Sequence, residues 1–510
     1  MKKQAKIIFI ILLSAATGWL SLAHLGYSNL QGDEIKALCR PDEGQGIMDF
    51  LLGQRKGPVQ FLITCLYRVF DPLFSNEFLL RLPFSIASIL SIFVFYRLVK
   101  LHFGERIAVY SSLFMASNGI FVAFSRIVQY ESITVLFSVA TLYFLSLAVK
   151  NDKWKIYGLY AGMLSAAISM LAHFDGSLVI PPAIYLLAVW YKLSRNSPSP
   201  LQLQRHLVGA IALYVIAVLA FYLPYALSIG EYQTAYWSNL ISGETDNSAQ
   251  TFMYYNPTIV IYIYAALLMF SLVRIRLNEA FLLLGLWLIP SFIFMEVVMN
   301  APKTHIYAYL MPLFILVAHG IEAVEGILKR LFTRGTELAV QLACIVLFLF
   351  LFFLSHTIFV DHNPEFPWND KKFLVWDLRG DDENKTAKMG FPCNRRWREM
   401  GEYFLDHKGD VDKQYVTNEK EVISSFYLPQ SLIYFKFNPK IISDMKEGEG
   451  CYAIIVEAPQ SWRQNILDMP ISYWKSRLIP LKTFTDGNGK LLSSIYYLTK
   501  SDLEPLLELY

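Results

Sequence analysis

Apolar runs long enough to cross a lipid bilayer recur along the first 360 residues of this 510-residue chain and stop after Val360. A transmembrane helix needs about 20 mostly apolar residues. Runs of that kind stand near 7–25, 79–99, 107–125, 132–149, 156–172, 177–192, 207–228, 257–273, 280–299, 305–321 and 338–360, eleven in all. The charges divide the chain at the same place: of 87 charged side chains, 43 lie in the last 150 residues and 44 are spread over the first 360. Overall 17% of the residues are charged, below the level of about 25% usual in soluble domains. The sequence therefore predicts a membrane body over 1–360 and a soluble domain over 361–510. This excludes a wholly soluble enzyme, a disordered scaffold and a fibre, and a net charge of +3 gives no nucleic-acid binder. Met1-Lys-Lys followed by an apolar run resembles a signal peptide, but the run is long and no clear small-residue cleavage site precedes Asn29, so it is read as an anchor.

Orientation follows from the Lys/Arg bias of short loops. With the N-terminus inside, the inner connections hold Lys2, Lys3 and Lys6, then Arg97, Lys100 and Arg106, then Lys150, Lys153 and Lys155. Further on they hold Lys192, Arg195 and Arg205, Arg274 and Arg276, and Lys329, Arg330 and Arg334, whereas the outer loop 229–256 has no Lys or Arg. An odd number of spans then places the C-terminal domain outside the cytoplasm. Within the outer loop 26–78, Pro58-Val-Gln-Phe-Leu-Ile-Thr-Cys-Leu-Tyr-Arg-Val-Phe70 has the pattern of a helix lying at the membrane surface. Beyond residue 360, Tyr452–Val456 and Ser494–Leu498 read as strands and Trp397–Leu405 as a helix, giving a small α/β domain. The five cysteines, Cys39, Cys65, Cys344, Cys393 and Cys451, have no metal-ligand spacing, so neither a zinc site nor a disulfide framework is predicted. Pairing of Cys393 with Cys451 stays open.

Ionisable groups at membrane depth or at helix mouths are functional candidates because desolvating them is costly. Acidic residues gather on the outer edge: Asp33, Glu34, Asp42, Glu43, Asp49, Asp71, Glu77, Glu131, Asp175, Glu231, Glu244, Asp246 and Glu296. Asp42, Glu43, Glu244 and Asp246 read as solvated loop residues. Asp33 and Glu34 follow the first span within Gln31-Gly-Asp-Glu-Ile35, where a carboxylate has three open roles: general base, metal ligand or helix N-cap. In Phe124-Ser-Arg-Ile-Val-Gln-Tyr-Glu-Ser132, Arg126 and Glu131 sit between two apolar runs with almost no loop, as a structural pair or as groups facing a cavity. Lys56, in Gln54-Arg-Lys-Gly-Pro-Val59, precedes a helix start and suits either a phosphate ligand or a lipid headgroup. In Lys303-Thr-His-Ile-Tyr307, snorkelling accounts for Lys303 and an interfacial aromatic belt for Tyr307, but His305 has no such account.

In this order the clusters resemble the polyprenyl-phosphate-sugar-dependent glycosyltransferases of the GT-C fold, in the family 39-like branch related to protein O-mannosyltransferases and aminoarabinose transferases. The matching residues are Asp33-Glu34, Lys56-Gly-Pro58, Glu77-Phe-Leu-Leu-Arg-Leu-Pro83, Ser125-Arg-Ile-Val-Gln-Tyr-Glu131 and Lys303-Thr-His-Ile-Tyr307 with Pro312. The C-terminal domain, with Gly390-Phe-Pro392 and Trp397-Arg-Glu-Met-Gly401, matches that branch in position and size only. Two departures stand out: members often carry Asp where Glu131 stands, and many carry Lys where His173 stands in Leu171-Ala-His-Phe-Asp-Gly176.

The resemblance implies a multi-span α-helical GT-C body of about eleven spans with a C-terminal extracytoplasmic α/β domain, in the plasma membrane. It implies sugar transfer, with inversion, from a polyprenyl-phosphate donor to an acceptor hydroxyl of an envelope protein, lipid or polysaccharide on the outer face. Asp33, Glu34 and Glu131 become the catalytic candidates, with Asp33 as base, and Lys56, Arg126, Lys303, His305 and Tyr307 the substrate-binding candidates. A divalent metal stays open, since Asp33, Glu34, Glu131 and His305 offer oxygen and nitrogen ligands without metal-specific spacing. The competing reading is a multi-pass transporter or lipid flippase. Against it, the runs 7–25, 132–149 and 338–360 carry no charge at their centres and no internal repeat is present. A ligase or polymerase using a pyrophosphate-linked donor is a third reading, separated from the first only by the early Asp-Glu pair.

Overall fold

The computed structural model describes residues 3–231, 233–235, 238, 248–275, 278–300, 303–332, 335–366, 368, 371–378, 389–407, 414–435, 442, 450–459 and 470–504. Glu244 and Asp246 lie outside the described residues. The chain forms two compact units: Met1–Ala23 with Leu38–Ser75 and Leu80–His356, and His24–Ala37 with Asn76–Leu79 and Thr357–Tyr510.

The first unit is helical, and each of the eleven apolar runs lies on helix. Among the described residues, seven helices are long and apolar enough to cross a membrane: Glu77–Phe103, Glu131–Lys150, Phe174–Arg195, Pro200–Leu227, Glu279–Val298, Lys303–Leu331 and Thr336–Phe359. The pair Ser248–Tyr255 and Thr258–Arg274, bent by 116°, makes eight if counted as one span. The count by length and composition is thus seven or eight rather than eleven, because three runs give shorter helices. Ile7–Leu22 and Tyr157–Ala172 are apolar but short, and the run 107–125 is divided at Asn118 into Glu105–Ser117 and Gly119–Phe124. Asn118 has extended backbone, and its side-chain oxygen accepts the Ile120 N–H, ending one helix and capping the next.

Polar contacts tie these helices at both ends. The Arg126 guanidinium donates to the carbonyls of Leu20 at 2.7 Å and Ala23 at 2.9 Å, occupying acceptors that the end of the first helix leaves over. Elsewhere Arg106 pairs with the buried Glu325, which also takes Lys329 at 2.7 Å. The amphipathic stretch forms the helix Val59–Arg68. It corrects the cysteine reading: the Cys39 N–H donates to Thr64 Oγ1 at 3.0 Å, which draws the two Cα atoms to 4.9 Å, and Cys39 and Cys65 form a disulfide. A separation of 26 residues with no motif carries no sign of this pairing, because the turn that creates it is tertiary.

The second unit is built on a five-stranded sheet. Its strands are β3 Gln414–Thr417, β4 Ile433–Tyr434, β5 Gly450–Val456, β6 Lys482–Thr485 and β7 Leu491–Thr499, after a small antiparallel pair of β1 Lys372–Phe373 and β2 Trp376–Asp377. The order is β4-β3-β5-β7-β6, with β3 parallel to both β4 and β5, and β7 antiparallel to β5 and β6. β5 and β7 pair from Gly450 with Thr499 to Val456 with Ser493, so the α/β expectation holds. The core gathers Val416, Phe435, Ala453, Ile455, Trp474 and Leu498. The buried Arg395 donates to Glu365 at 2.6 Å and to the Phe366 carbonyl at 2.7 Å, and Tyr27 bonds the same carboxylate. Cys393 and Cys451 are free and buried, and burial pushes their thiols up to about 11 and about 12.

At Gly320 the helix Tyr307–Leu331 meets the helix Thr258–Ser271 so closely that an added Cβ would lie 2.0 Å from the Leu267 carbonyl oxygen. Gly320→Ala should therefore cost about 1–3 kcal/mol through forced overpacking. Thermal unfolding in detergent measures this, and an unchanged melting point would contradict the packing described.

Candidate functional site

Two interruptions between apolar helices build a buried polar cluster in the first unit. The helix Tyr157–Ala172 ends at His173, whose backbone is extended at φ −161° and ψ 153°. The chain resumes as a 3-10 turn, Phe174–Val179, running into Ile180–Arg195. A second 3-10 turn, Lys303–Ile306, leads into Tyr307–Leu331. The first carries Asp175 and the second His305.

Asp175 is the centre of the cluster and is 3% exposed. Its Oδ2 accepts from Tyr307 Oη at 2.7 Å and is hydrogen-bonded to His305 Nδ1 at 2.7 Å. Its Oδ1 lies 3.2 Å from His173 Nδ1, and that nitrogen accepts the backbone N–H of Asp175 at 3.3 Å. The Tyr130 ring stacks on His173 with centroids 3.8 Å apart and planes 8° from parallel. Lys56 Nζ lies over the same Tyr130 ring, 4.5 Å from its centroid, and donates to Gln129 Oε1 at 2.8 Å. Glu131 is 3% exposed, and its Oε2 has no hydrogen-bond partner. The charges of Lys56, His305 and Asp175 all act on it. Lys56 reaches this place because Gly57 has no side chain: a Cβ there would stand 2.0 Å from the Leu171 carbonyl oxygen, just before the break at His173.

An ammonium, two imidazoles, two carboxylates and two phenols are thus held together in a body of apolar helices. A low-dielectric surrounding strengthens every charge interaction among them. An anionic oxygen ligand is the natural guest of the cationic side, and His173, Asp175 and His305 each offer a metal-ligand atom, all within 4.8 Å of one another. The first unit also holds a cavity of about 990 Å³ lined mainly by apolar side chains such as Leu13, Trp19, Val109, Ile345 and Phe348.

Residues 57–222 match the sequence model of the family described as dolichyl-phosphate-mannose-protein mannosyltransferase. No protein of curated function matches the chain by sequence. Among solved structures, the ArnT of Cupriavidus metallidurans bound to undecaprenyl phosphate superposes with a TM-score of 0.56 at 12% identity, over 98% of each chain. The apo form of the same protein gives 0.52 at 14% identity, over 98% of this chain and 99% of that one. The chain has the GT-C fold.

The GT-C body brings together four of the residues singled out from sequence: Lys56, Glu131, His305 and Tyr307. It adds His173, Asp175, Gln129 and Tyr130. His173 stands out in the sequence as a departure from Lys, whereas Asp175 reads there only as an outer-edge acid. Its signal was a carboxylate two residues from a histidine between two apolar runs with no loop to solvate it. Arg126 is engaged by the carbonyls of the first helix. Lys303 is exposed and has a left-handed backbone, φ 45°. Asp33 and Glu34 belong to the second unit. There Glu34 is buried and accepts the Gln31 N–H at 3.0 Å in a capping box, while the half-exposed Asp33 carboxylate pairs with Lys36 at 3.6 Å.

Gly57→Ala should displace Lys56 from Tyr130 and Gln129 while leaving the helices inserted. Misplacing a binding group by about 1 Å commonly costs on the order of 10²-fold in rate. The check is turnover by the purified variant alongside its melting point, and full activity would break the link between Gly57 and the position of Lys56.

Proposed function

We propose that this GT-C protein is a membrane glycosyltransferase that moves a sugar from a polyprenyl-phosphate donor to an acceptor hydroxyl on the outer face, with inversion at the anomeric carbon. The observation that carries the proposal is Lys56, seated over Tyr130 and held by Gln129 beside the buried Glu131, His305 and Asp175. An ammonium held on an apolar body matches a phosphodiester, and the ArnT structure that shares this fold has undecaprenyl phosphate bound. The apolar cavity suits a lipid tail. The sugar and the acceptor class, whether an envelope protein, lipid or polysaccharide, follow from no residue here.

In this reading the acceptor oxygen attacks the anomeric carbon as the bond to phosphate breaks. The leaving phosphate is already anionic, so it needs charge stabilisation rather than a proton, and Lys56 supplies it. Asp33, the matched carboxylate with its side chain 42% exposed, takes the acceptor proton, and Glu34 fixes the turn that carries it through the capping box. Glu131 holds the orientation of Lys56 by charge. Arg126 acts as a positioning residue that ties the turn before Glu131 to the end of the first helix, and Lys303 marks the bilayer edge.

The outer-face assignment is supported by the Lys/Arg bias of the loops and by the Cys39–Cys65 disulfide, since disulfides persist in oxidising compartments. An impermeant maleimide should label Asp406→Cys, an exposed helix-end position, in intact cells. Background from Cys393 and Cys451 should be low because burial raises both thiols. Labelling only after permeabilisation would overturn the orientation.

Two variants test the chemistry. Asp33→Asn should fold yet lose about 10²–10⁴-fold in turnover, the usual contribution of a positioned base, and near wild-type turnover would remove Asp33 from that role. A hydrogen bond to a charged group is worth roughly 1.5–3 kcal/mol, so Lys56→Ala should weaken binding of a polyprenyl phosphate by about one to two orders of magnitude. Unchanged affinity in a direct titration would refute the phosphate contact.

A further inference from the structure

The turn between β1 and β2 carries residues that suit neither a tight turn nor water. The two strands pair antiparallel with Phe373 opposite Trp376, so Leu374 and Val375 form a two-residue hairpin loop. Such loops favour glycine, asparagine or aspartate where the backbone turns left-handed. Here a leucine takes that conformation, at φ 55°, where its Cβ crowds the following carbonyl. Neither side chain gains burial in return: Leu374 is 71% and Val375 84% exposed. The hairpin thus holds two large apolar side chains out at its tip, against both the local backbone preference and the hydrophobic effect.

What lies beside the tip follows from how its base is fixed. The Leu378 N–H donates to the Lys371 carbonyl at 2.9 Å, which continues the ladder below the strands. Lys371 Nζ donates to the Asp361 carbonyl at 2.9 Å, stands 3.2 Å from the carboxylate of the same residue and lies 4.8 Å from the centroid of the Trp368 ring. Phe391 packs on both Trp368 and Phe359, with centroids 5.8 Å and 5.0 Å away. Phe359 ends the helix Thr336–Phe359, and Asp361 follows just beyond it. The 24 residues of that helix extend about 36 Å, enough to cross a hydrocarbon core of about 30 Å. The base of the hairpin is therefore fastened where this helix leaves the bilayer, and the tip reaches only about 10–13 Å further along the chain. Phe373 and Trp376 flank the tip, and tryptophan side chains gather at the headgroup level of membranes. Lys372 stands opposite Asp377, so this pair brings no net charge that would select one lipid headgroup over another.

We propose that Leu374 and Val375 insert into the bilayer leaflet from which the helix Thr336–Phe359 emerges, with Phe373 and Trp376 at headgroup level, so that the hairpin anchors the second unit on the lipid surface. The partner is the apolar margin of the bilayer and not a particular headgroup. The inference needs only the membrane body and is independent of the transfer reaction.

The test uses the full chain in phosphatidylcholine nanodiscs, with an environment-sensitive fluorophore attached through Val375→Cys. Labelling of Cys344, Cys393 and Cys451 should be low because all three are buried. The label at position 375 should emit as in an apolar medium, be quenched by lipids that carry a nitroxide near the glycerol end of the acyl chain, and resist iodide in the water. A label attached through Asp406→Cys, exposed on the same unit, should behave in the opposite way. The result at position 375 should be the same in discs that contain phosphatidylglycerol. Adding Leu374→Asp keeps the turn, since aspartate accepts left-handed backbone, but its charge should lift the tip out, so lipid quenching should be lost with the melting point unchanged. Iodide quenching at position 375 as strong as at position 406 would overturn insertion. So would a label shielded from iodide and nitroxide lipids alike, which would place the tip against protein, or lipid quenching that Leu374→Asp leaves intact. Entry into the anionic discs alone would overturn the apolar basis of the contact.

Discussion

A carboxylate enclosed by apolar helices must be met by donors or by a cation, and in this chain that demand falls on Asp175. Two helix breaks answer it, one ending at His173 and the other opening at Lys303–Ile306. Each break costs backbone hydrogen bonds in an apolar setting, where nothing but protein can replace them. The breaks therefore persist because the polar groups they carry engage one another: His305 and Tyr307 bond one carboxylate oxygen, His173 Nδ1 accepts the backbone N–H of Asp175, and Tyr130 stacks on His173.

From that centre the remainder of the cluster follows. Tyr130 offers its ring to Lys56, and the missing side chain at Gly57 lets the Lys56 segment approach the carbonyl of Leu171. Glu131, at the start of the helix Glu131–Lys150, is the next buried carboxylate in reach of the Lys56 charge. Arg126 fixes the preceding turn by taking up the last carbonyls of the first helix. The result is a cation presented by a rigid apolar scaffold, which is what recognition of a lipid-linked phosphate requires.

Much of this was legible in the residues. The apolar runs placed the helices, since hydrophobic length is a direct physical requirement of a bilayer, and the α/β character of the second unit was readable in runs such as Tyr452–Val456. What escaped depended on tertiary contacts. The run 107–125 looked continuous because a single Asn118 carries little weight in a hydropathy window, yet its side chain caps a new helix. Cys39 and Cys65 meet only through the fold of an amphipathic helix. Arg126 reads in the sequence as a phosphate contact or as half of a structural pair, and its hydrogen bonds to two backbone carbonyls of the first helix end carry no sign in the local residues. Asp175 looked like a surface acid because its partners are 130 and 132 residues away.

The central claim is that this GT-C body handles a polyprenyl-phosphate sugar chemically and does not merely move it across the bilayer. The most direct measurement is mass spectrometry of the lipid products after purified protein is incubated with a polyprenyl-phosphate sugar and an envelope extract as acceptor. The account predicts time-dependent release of the free polyprenyl phosphate with matching appearance of the sugar on an acceptor. A donor that is bound and stays intact, with no polyprenyl phosphate released, would contradict it and leave the transporter reading in its place.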